Sequence, residues 1–291
     1  MSWKDCAPLP VAAAGGYLAN VEGGLLYAGG CTWLDGSRLW LNTSFIYDPA
    51  KNVWNSGPAL PVPSAYGVCA TVGGAVHVNG GWNDDGVLKS CNTLEPGANI
   101  WREAPSLPHG VLHGSGGAVG GVICVAGGGS DYADLTQLTG AVYTRTDGSW
   151  KQAASLPQGK VGSFAAAAVC GTLYLFGGVS APVVNHTEAV GFEPVRNAYT
   201  KLRPLPAATR SITAATINEH TILLVGGYAA SGFSKACWLY DTEEDKYREF
   251  DPLPFANAGM LVLRNGDHAI AVGGEDRPRA RTNRVLSIYC G

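Results

Sequence analysis

The residues best suited to chemistry in this 291-residue chain lie in one run near its C-terminus. Gly274-Glu275-Asp276-Arg277-Pro278-Arg279-Ala280-Arg281-Thr282, with Arg284, puts one acid beside another and four arginines within ten residues. Only 15% of the residues are charged, so the cluster calls for a reason. A guanidinium offers a planar fork that grips a carboxylate through two hydrogen bonds, and a carboxylate can take and return a proton. Glu275 and Arg281 together suit an anion and sugar site. The same residues would also serve as a solvated loop pinned by a Glu275–Arg281 ion pair, worth at most about 1 kcal/mol at an exposed position. Other segments supply groups that could bind a substrate: Arg210, His113 and Asn257 as polar contacts, and Trp33, Trp82 and Tyr132 as rings that could stack on a sugar face.

The elements that must position these groups repeat. A diglycine closes a short apolar run six times, at Gly29-Gly30, Gly80-Gly81, Gly127-Gly128, Gly177-Gly178, Gly226-Gly227 and Gly273-Gly274, spaced 47 to 51 residues apart. Each copy reads as an apolar strand, a polar turn, a second apolar strand ending in the diglycine, a variable loop, a third strand, a turn, and an aromatic followed by Leu-Pro. The aromatics are Trp3, Trp54, Trp101, Trp150, Tyr199 and Tyr247. Four short strands per unit at this period are similar to the kelch type of β-propeller. The expected fold is therefore all-β: a six-bladed kelch-type β-propeller with four antiparallel strands per blade, forming a single domain over residues 1–291. With 40 glycines, 17 prolines and no long stripe of helical period, helices should be scarce.

The last copy has three strands but lacks the aromatic and Leu-Pro segment, which stands instead at the other terminus as Ser2-Trp3-Lys4-Asp5-Cys6-Ala7-Pro8-Leu9-Pro10. Residues 2–6 should thus supply the outermost strand of blade six and leave no open edge. Seven residues before five of the outer aromatics stand Tyr47, Leu94, Tyr143, Phe192 and Tyr240, a fixed spacing that pairs them across a hairpin as packing between blades. Strand alternation puts the loops after each diglycine and after each Leu-Pro on one face, where the copies diverge and a site is expected.

A net charge of −3 provides no basic field for nucleic acid. No segment approaches the ~18 apolar residues of a membrane span and the N-terminus has no export signal, so a soluble, cytoplasmic protein is expected. The eight cysteines include no CxxC, and most sit in apolar strands as expected buried thiols. Two glycosylation-type triplets, at Asn42 and Asn185, are read as chance. His109 and His113 are four apart on a loop with no third partner at obvious spacing, so no metal is expected.

The run GGEDRPRART resembles the signature of bacterial N-acetylneuraminate mutarotases and their cyclically permuted relatives, six-bladed kelch proteins. The matching positions are Gly274, Glu275, Pro278, Arg281 and Thr282, and Leu205-Pro206-Ala207-Ala208-Thr209-Arg210 is similar to the family's segment carrying a further arginine. Arg279 stands where the family tends to have glycine, and the signature lies in the last copy rather than an interior one. The resemblance implies a sugar mutarotase acting on an acidic sugar such as N-acetylneuraminate, with Glu275 as base, Arg281 and Arg210 on the substrate carboxylate or developing charge, and no metal or redox cofactor. The alternative is a non-enzymatic propeller that binds a protein partner through the same loop face. The expected lack of a second domain argues against a two-ended adaptor.

Overall fold

The computed structural model describes residues 2–131 and 133–291. Six four-stranded antiparallel sheets form the blades, and their innermost strands (Tyr17–Val21, Val68–Val72, Ser115–Val119, Ala165–Val169, Thr213–Thr216 and Leu261–Asn265) neighbour one another in a closed circle. The second strands, such as Gly24–Ala28, Val122–Ala126 and Thr221–Val225, are almost wholly buried. Being sandwiched between neighbouring blades requires apolar side chains on both faces, hence unbroken apolar runs rather than alternation. Outer strands such as Val53–Ser56 are largely exposed. Among the described residues there is no α-helix, only a 3-10 turn at Leu135–Gln137.

Blade six closes as expected, though with a shorter strand: Lys4–Asp5 pairs antiparallel to Val285–Tyr289, with Lys4 opposite Ser287 and Asp5 opposite Leu286. Across the same seam Asn20 Nδ2 donates to Arg264 O (2.9 Å) and Asn265 Nδ2 to Asn20 Oδ1 (2.9 Å).

The outer aromatics do more than pack. Trp3, Trp54, Trp101 and Trp150 donate indole N–H groups, and Tyr199 and Tyr247 hydroxyls, to the carbonyls of Asp251, Ala7, Pro58, Pro105, Ala154 and Arg203, all at 2.8 to 2.9 Å. Each acceptor lies two residues before the leucine of a Leu-Pro, so every outer strand is tied to the segment that leaves the preceding blade. The six leucines, Leu9, Leu60, Leu107, Leu156, Leu205 and Leu253, are at most 5% exposed, and each contributes about 1.5–3 kcal/mol by burial. The Tyr47–Trp54, Phe192–Tyr199 and Tyr240–Tyr247 rings pack tilted against each other, 4.8 to 5.0 Å apart, across their hairpins.

The cysteines divide. Cys31, Cys91, Cys124 and Cys237 are buried, Cys6, Cys69 and Cys290 are half-buried, and Cys170 is exposed because it sits at a strand-to-strand turn with φ 44°. His77 is a half-buried strand residue held by Thr93 Oγ1 at 2.8 Å and Arg145 Nη2 at 3.2 Å.

The diglycines form the seams. The N–H of Gly30 donates to Ser64 O of the next blade at 2.8 Å, and a Cβ on Gly29 (φ 65°) would stand 2.5 Å from that oxygen. Gly36, at φ 79° in a hairpin turn, has open space where its Cβ would be. Gly36→Ala should therefore cost only left-handed strain, about 1–2 kcal/mol, while Gly29→Ala adds a clash at the seam worth roughly a further 1–3 kcal/mol. Denaturant midpoints of the two variants test this, and equal losses would contradict the role given to the seam.

Candidate functional site at the channel mouth

The inner strands enclose a central cavity of about 730 Å³ lined largely by glycine, alanine, serine and threonine. At its loop-face end stands one residue per blade, Gly15, Tyr66, His113, Ser163, Ser211 and Gly259, all with φ between 50° and 72°. Their backbones link round the mouth: Tyr66 N–H to Gly15 O (2.7 Å), His113 to Tyr66 (3.0 Å), Ser163 to His113 (2.8 Å), Ser211 to Ser163 (2.7 Å) and Gly259 to Ser211 (3.0 Å).

The loops after the diglycines are largely small hairpins that rise from this face. In blade six Glu275–Arg277 pairs with Ala280–Arg281, and Glu275 is the direct cross-strand partner of Arg281. Side chains so placed share a face, and Arg281 Nη1 lies 2.7 Å from Glu275 Oε1. The same oxygen accepts the N–H of Arg279, the left-handed turn residue. Arg281 then reaches over blade one, where its Nη2 donates to Tyr66 Oη (2.9 Å) and approaches Cys31 Sγ (3.6 Å). Tyr66 can fold back here because blade one has glycine beneath it: a Cβ on Gly15 would stand 2.5 Å from the tyrosine ring. The Arg281 side chain is 4% exposed and that of Glu275 26%. Burial disfavours the arginine's charge, but Tyr66, Cys31 and Glu275 outweigh it and push its pKa up, so it remains a guanidinium.

Beside this group Arg38 is enclosed by three indoles, at 5.3 Å from Trp33, 5.2 Å from Trp40 and 4.5 Å from Trp82. Arg279 also lies 5.2 Å from the Trp33 ring. Trp40 and Trp82 meet edge to face at 4.6 Å, and Trp40 Nε1 donates to Asp84 Oδ1 (2.8 Å). The His113 ring packs at 4.7 Å from Tyr66. Burial, and then Arg38, lower its pKa to about 4, so the imidazole is neutral near pH 7. Trp33 Nε1 and Arg281 Nε are buried and, among the described residues, have no acceptor. Buried donors without acceptors are costly unless something fills the place, and donors beside guanidinium groups suit an anion's oxygens.

The sequence candidates are thus distributed unevenly. Glu275, Arg281, Trp33, Trp82 and His113 gather on one side of the mouth, across blades six, one, two and three. Arg210 is on the same face but in blade five, where its Nη1 donates to Asn185 Oδ1 (2.8 Å) and its guanidinium lies 4.3 Å from the Tyr228 ring. Asn257 is fully buried at the seam of blades five and six, with Nδ2 on Gly273 O (3.2 Å). Tyr132 lies outside the described residues. His109 and His113 diverge, His109 lying 6.3 Å from Tyr143. The sequence analysis did not single out Arg38, Cys31 or Tyr66. Tyr66 could have been found by aligning the copies on Leu-Pro, since Tyr66 and His113 hold matching places in successive units.

No family model matches the chain. Kelch-like protein 35 of Mus musculus is 30% identical over 151 residues, 51% of this chain and 25% of its own length. Kelch-like protein terF of Aspergillus terreus is 31% identical over 98 residues, 30% of this chain and 21% of its own. The chain therefore matches a quarter or less of the length of these curated relatives. A solved structure titled "Structure of YjhT" aligns with a TM-score of 0.81 over 98% of this chain and 97% of that one, at 16% identity, a likeness of fold. With six sheets closed in a ring, the architecture is decided. The chain is a kelch-type six-bladed β-propeller. In this kelch propeller no helix of the described residues is long and apolar enough to cross a membrane.

The lowered pKa of His113 has a consequence for stability. The unfolded chain takes up this proton near the ordinary value of 6.5, the folded chain only near 4, so the folded state binds fewer protons in between and loses stability as pH falls through that window. From pH 7 to 5 the wild type should lose up to about 2 kcal/mol more than His113→Gln, compared by urea unfolding at both pH values. Identical pH slopes would contradict the assignment.

Proposed function

We propose that this propeller is a sugar mutarotase that interconverts the anomers of an acidic sugar such as N-acetylneuraminate. The observation that carries this reading is the Glu275–Arg281 pair at 2.7 Å on the channel mouth, with buried donors beside it that have no acceptor. Mutarotation needs a base for the anomeric hydroxyl and an acid for the ring oxygen, each worth about 10²–10⁴-fold. Glu275, partly open to solvent, takes the anomeric proton. The ring C–O bond then breaks, the freed carbonyl turns, and closure on its other side returns the proton. The Tyr66 hydroxyl, which accepts from Arg281 and lies 3.2 Å from Cys31 Sγ, serves as the acid for the ring oxygen. Arg281 holds Glu275 and Tyr66 in place, and with Trp33 Nε1 its free Nε meets developing negative charge. Arg38 and Arg279 favour the substrate carboxylate. No step calls for a metal or redox cofactor.

A second reading, a protein partner docked on the same face, is favoured by Leu34 (61% exposed) and Leu39 (47%) on the hairpin that carries Trp33. Following a freshly dissolved single anomer of N-acetylneuraminate by proton NMR separates the two. The mutarotase reading expects faster exchange with the wild type and a loss of about 10²–10⁴-fold in Glu275→Gln, whose amide keeps an acceptor for the Arg279 N–H and so spares the hairpin. Arg281→Lys should also lose rate, because an ammonium cannot bridge Glu275 and Tyr66 as the fork does. Exchange at the buffer rate for acidic and neutral sugars alike would overturn this reading in favour of the protein partner.

A further inference from the structure

A second cluster on the loop face has a different chemistry. Blade four carries after its diglycine the hairpin Val179–Ser180 and Val184–Asn185, with Val179 opposite Asn185 and Ser180 opposite Val184. His186 follows directly and folds back beside the hairpin, its N–H on Gly178 O at 2.9 Å. Its Nε2 lies 2.8 Å from Ser180 Oγ, and its Nδ1 lies 3.2 Å from Glu188 Oε2. A carboxylate can only accept, so the nitrogen facing Glu188 carries the proton of the neutral ring, and Nε2 is left to accept from the serine hydroxyl. Nucleophile, base and orienting acid therefore stand in one hydrogen-bonded line with each ring nitrogen assigned a role. The Ser180 residue is half-buried, while the His186 side chain is 17% and that of Glu188 52% exposed. Partial burial works against the charge on Glu188, but its own backbone N–H, His186 and the Thr187 N–H hold its pKa below the usual carboxylate range.

A fixed cation stands beside this line. Asn185, the residue before His186, accepts from Arg210 Nη1 (2.8 Å) and donates to Tyr228 O (3.0 Å), and the Arg210 guanidinium stands 4.3 Å from the Tyr228 ring centroid. The geometry points to a serine hydrolase site for short-chain carboxylic esters at Ser180, His186 and Glu188, separate from the Glu275 cluster. Ser180 Oγ attacks the ester carbonyl carbon as His186 Nε2 takes its proton. The tetrahedral adduct collapses, the C–O bond to the alcohol breaks, and the alcohol leaves with the proton from His186. Water, deprotonated by the same Nε2, then cleaves the acyl-serine, releasing the carboxylic acid and restoring Ser180. Ester and water are consumed, acid and alcohol are formed, and nothing is oxidised or reduced.

The test treats the full chain with a fluorophosphonate probe, maps the adduct by peptide mass spectrometry, and follows p-nitrophenyl acetate hydrolysis in parallel. The expected result is an adduct on Ser180 and a loss of hydrolysis of about 10³-fold in Ser180→Ala. His186→Gln should abolish labelling. Glu188→Gln should reduce the acylation rate by about tenfold or more while Ser180 remains the labelled residue. Thermal melts of all three variants separate loss of chemistry from loss of fold. A wild-type chain with no adduct on Ser180, or a folded Ser180→Ala that hydrolyses as fast as the wild type, would overturn the proposal. Its readouts are acylation and ester hydrolysis, not anomer exchange, so this proposal and the mutarotase reading fail separately.

Discussion

The structure depends on one hydrogen bond repeated at every seam. The second glycine of each diglycine donates its N–H to a carbonyl of the next blade: Gly30 to Ser64, Gly81 to Val111, Gly128 to Val161, Gly178 to Thr209, Gly227 to Asn257 and Gly274 to Ala13, all at 2.8 to 2.9 Å. The last of these joins blade six to the segment that leads into blade one. The acceptor sits so close that the preceding glycine has no room for a Cβ, and the pair's positive φ values turn the chain out of the sheet onto the loop face. One local geometry thus sets the blade spacing and launches the segment that rises from the loop face. A side chain there would lose the contact and the turn together.

Because that frame repeats six times, it places six equivalent positions round the mouth and gives none of them a role. Chemistry enters where side chains break the symmetry. The left-handed mouth position is glycine in blades one and six, serine in blades four and five, tyrosine in blade two and histidine in blade three. Glycine in blade one gives Tyr66 its resting place, which puts a phenol within reach of Arg281. Two serines on the opposite arc offer no comparable anchor. The acidic and basic groups of the Glu275 cluster consequently converge on one arc, while Arg210, on the next blade, turns to Asn185 and Tyr228 instead.

The hairpins refine this further. Two residues of one short hairpin that face each other across the strands are held at fixed distance by backbone bonds, which lowers the entropy lost in aligning them. Glu275 and Arg281 use this directly as cross-strand partners. Ser180 and His186 use it with an offset of two residues, the histidine standing two positions beyond Val184, the serine's cross-strand partner. Both clusters belong to rigid supports standing on a closed ring rather than to free loops.

Much of this was legible in the residue order. The diglycines, the outer aromatics and the Leu-Pro pairs determine a closed array of six four-stranded units, because each does a backbone or core job at a fixed interval, and the displaced Trp3 segment determines where the ring closes. Glu275 and Arg281 were legible as a pair because they lie in one short hairpin. Tertiary structure alone decided their company. Arg281 meets Tyr66 from 215 residues away and Cys31 from 250, contacts created where the last blade meets the first two and visible in no local pattern. It also decided that Asn257 is sealed in a seam and that His186 aligns Ser180 with Glu188, because those outcomes depend on side-chain direction around turns. The chain's order encodes periodicity and local pairing; which unlike side chains meet across the closed ring is set by the geometry of closure.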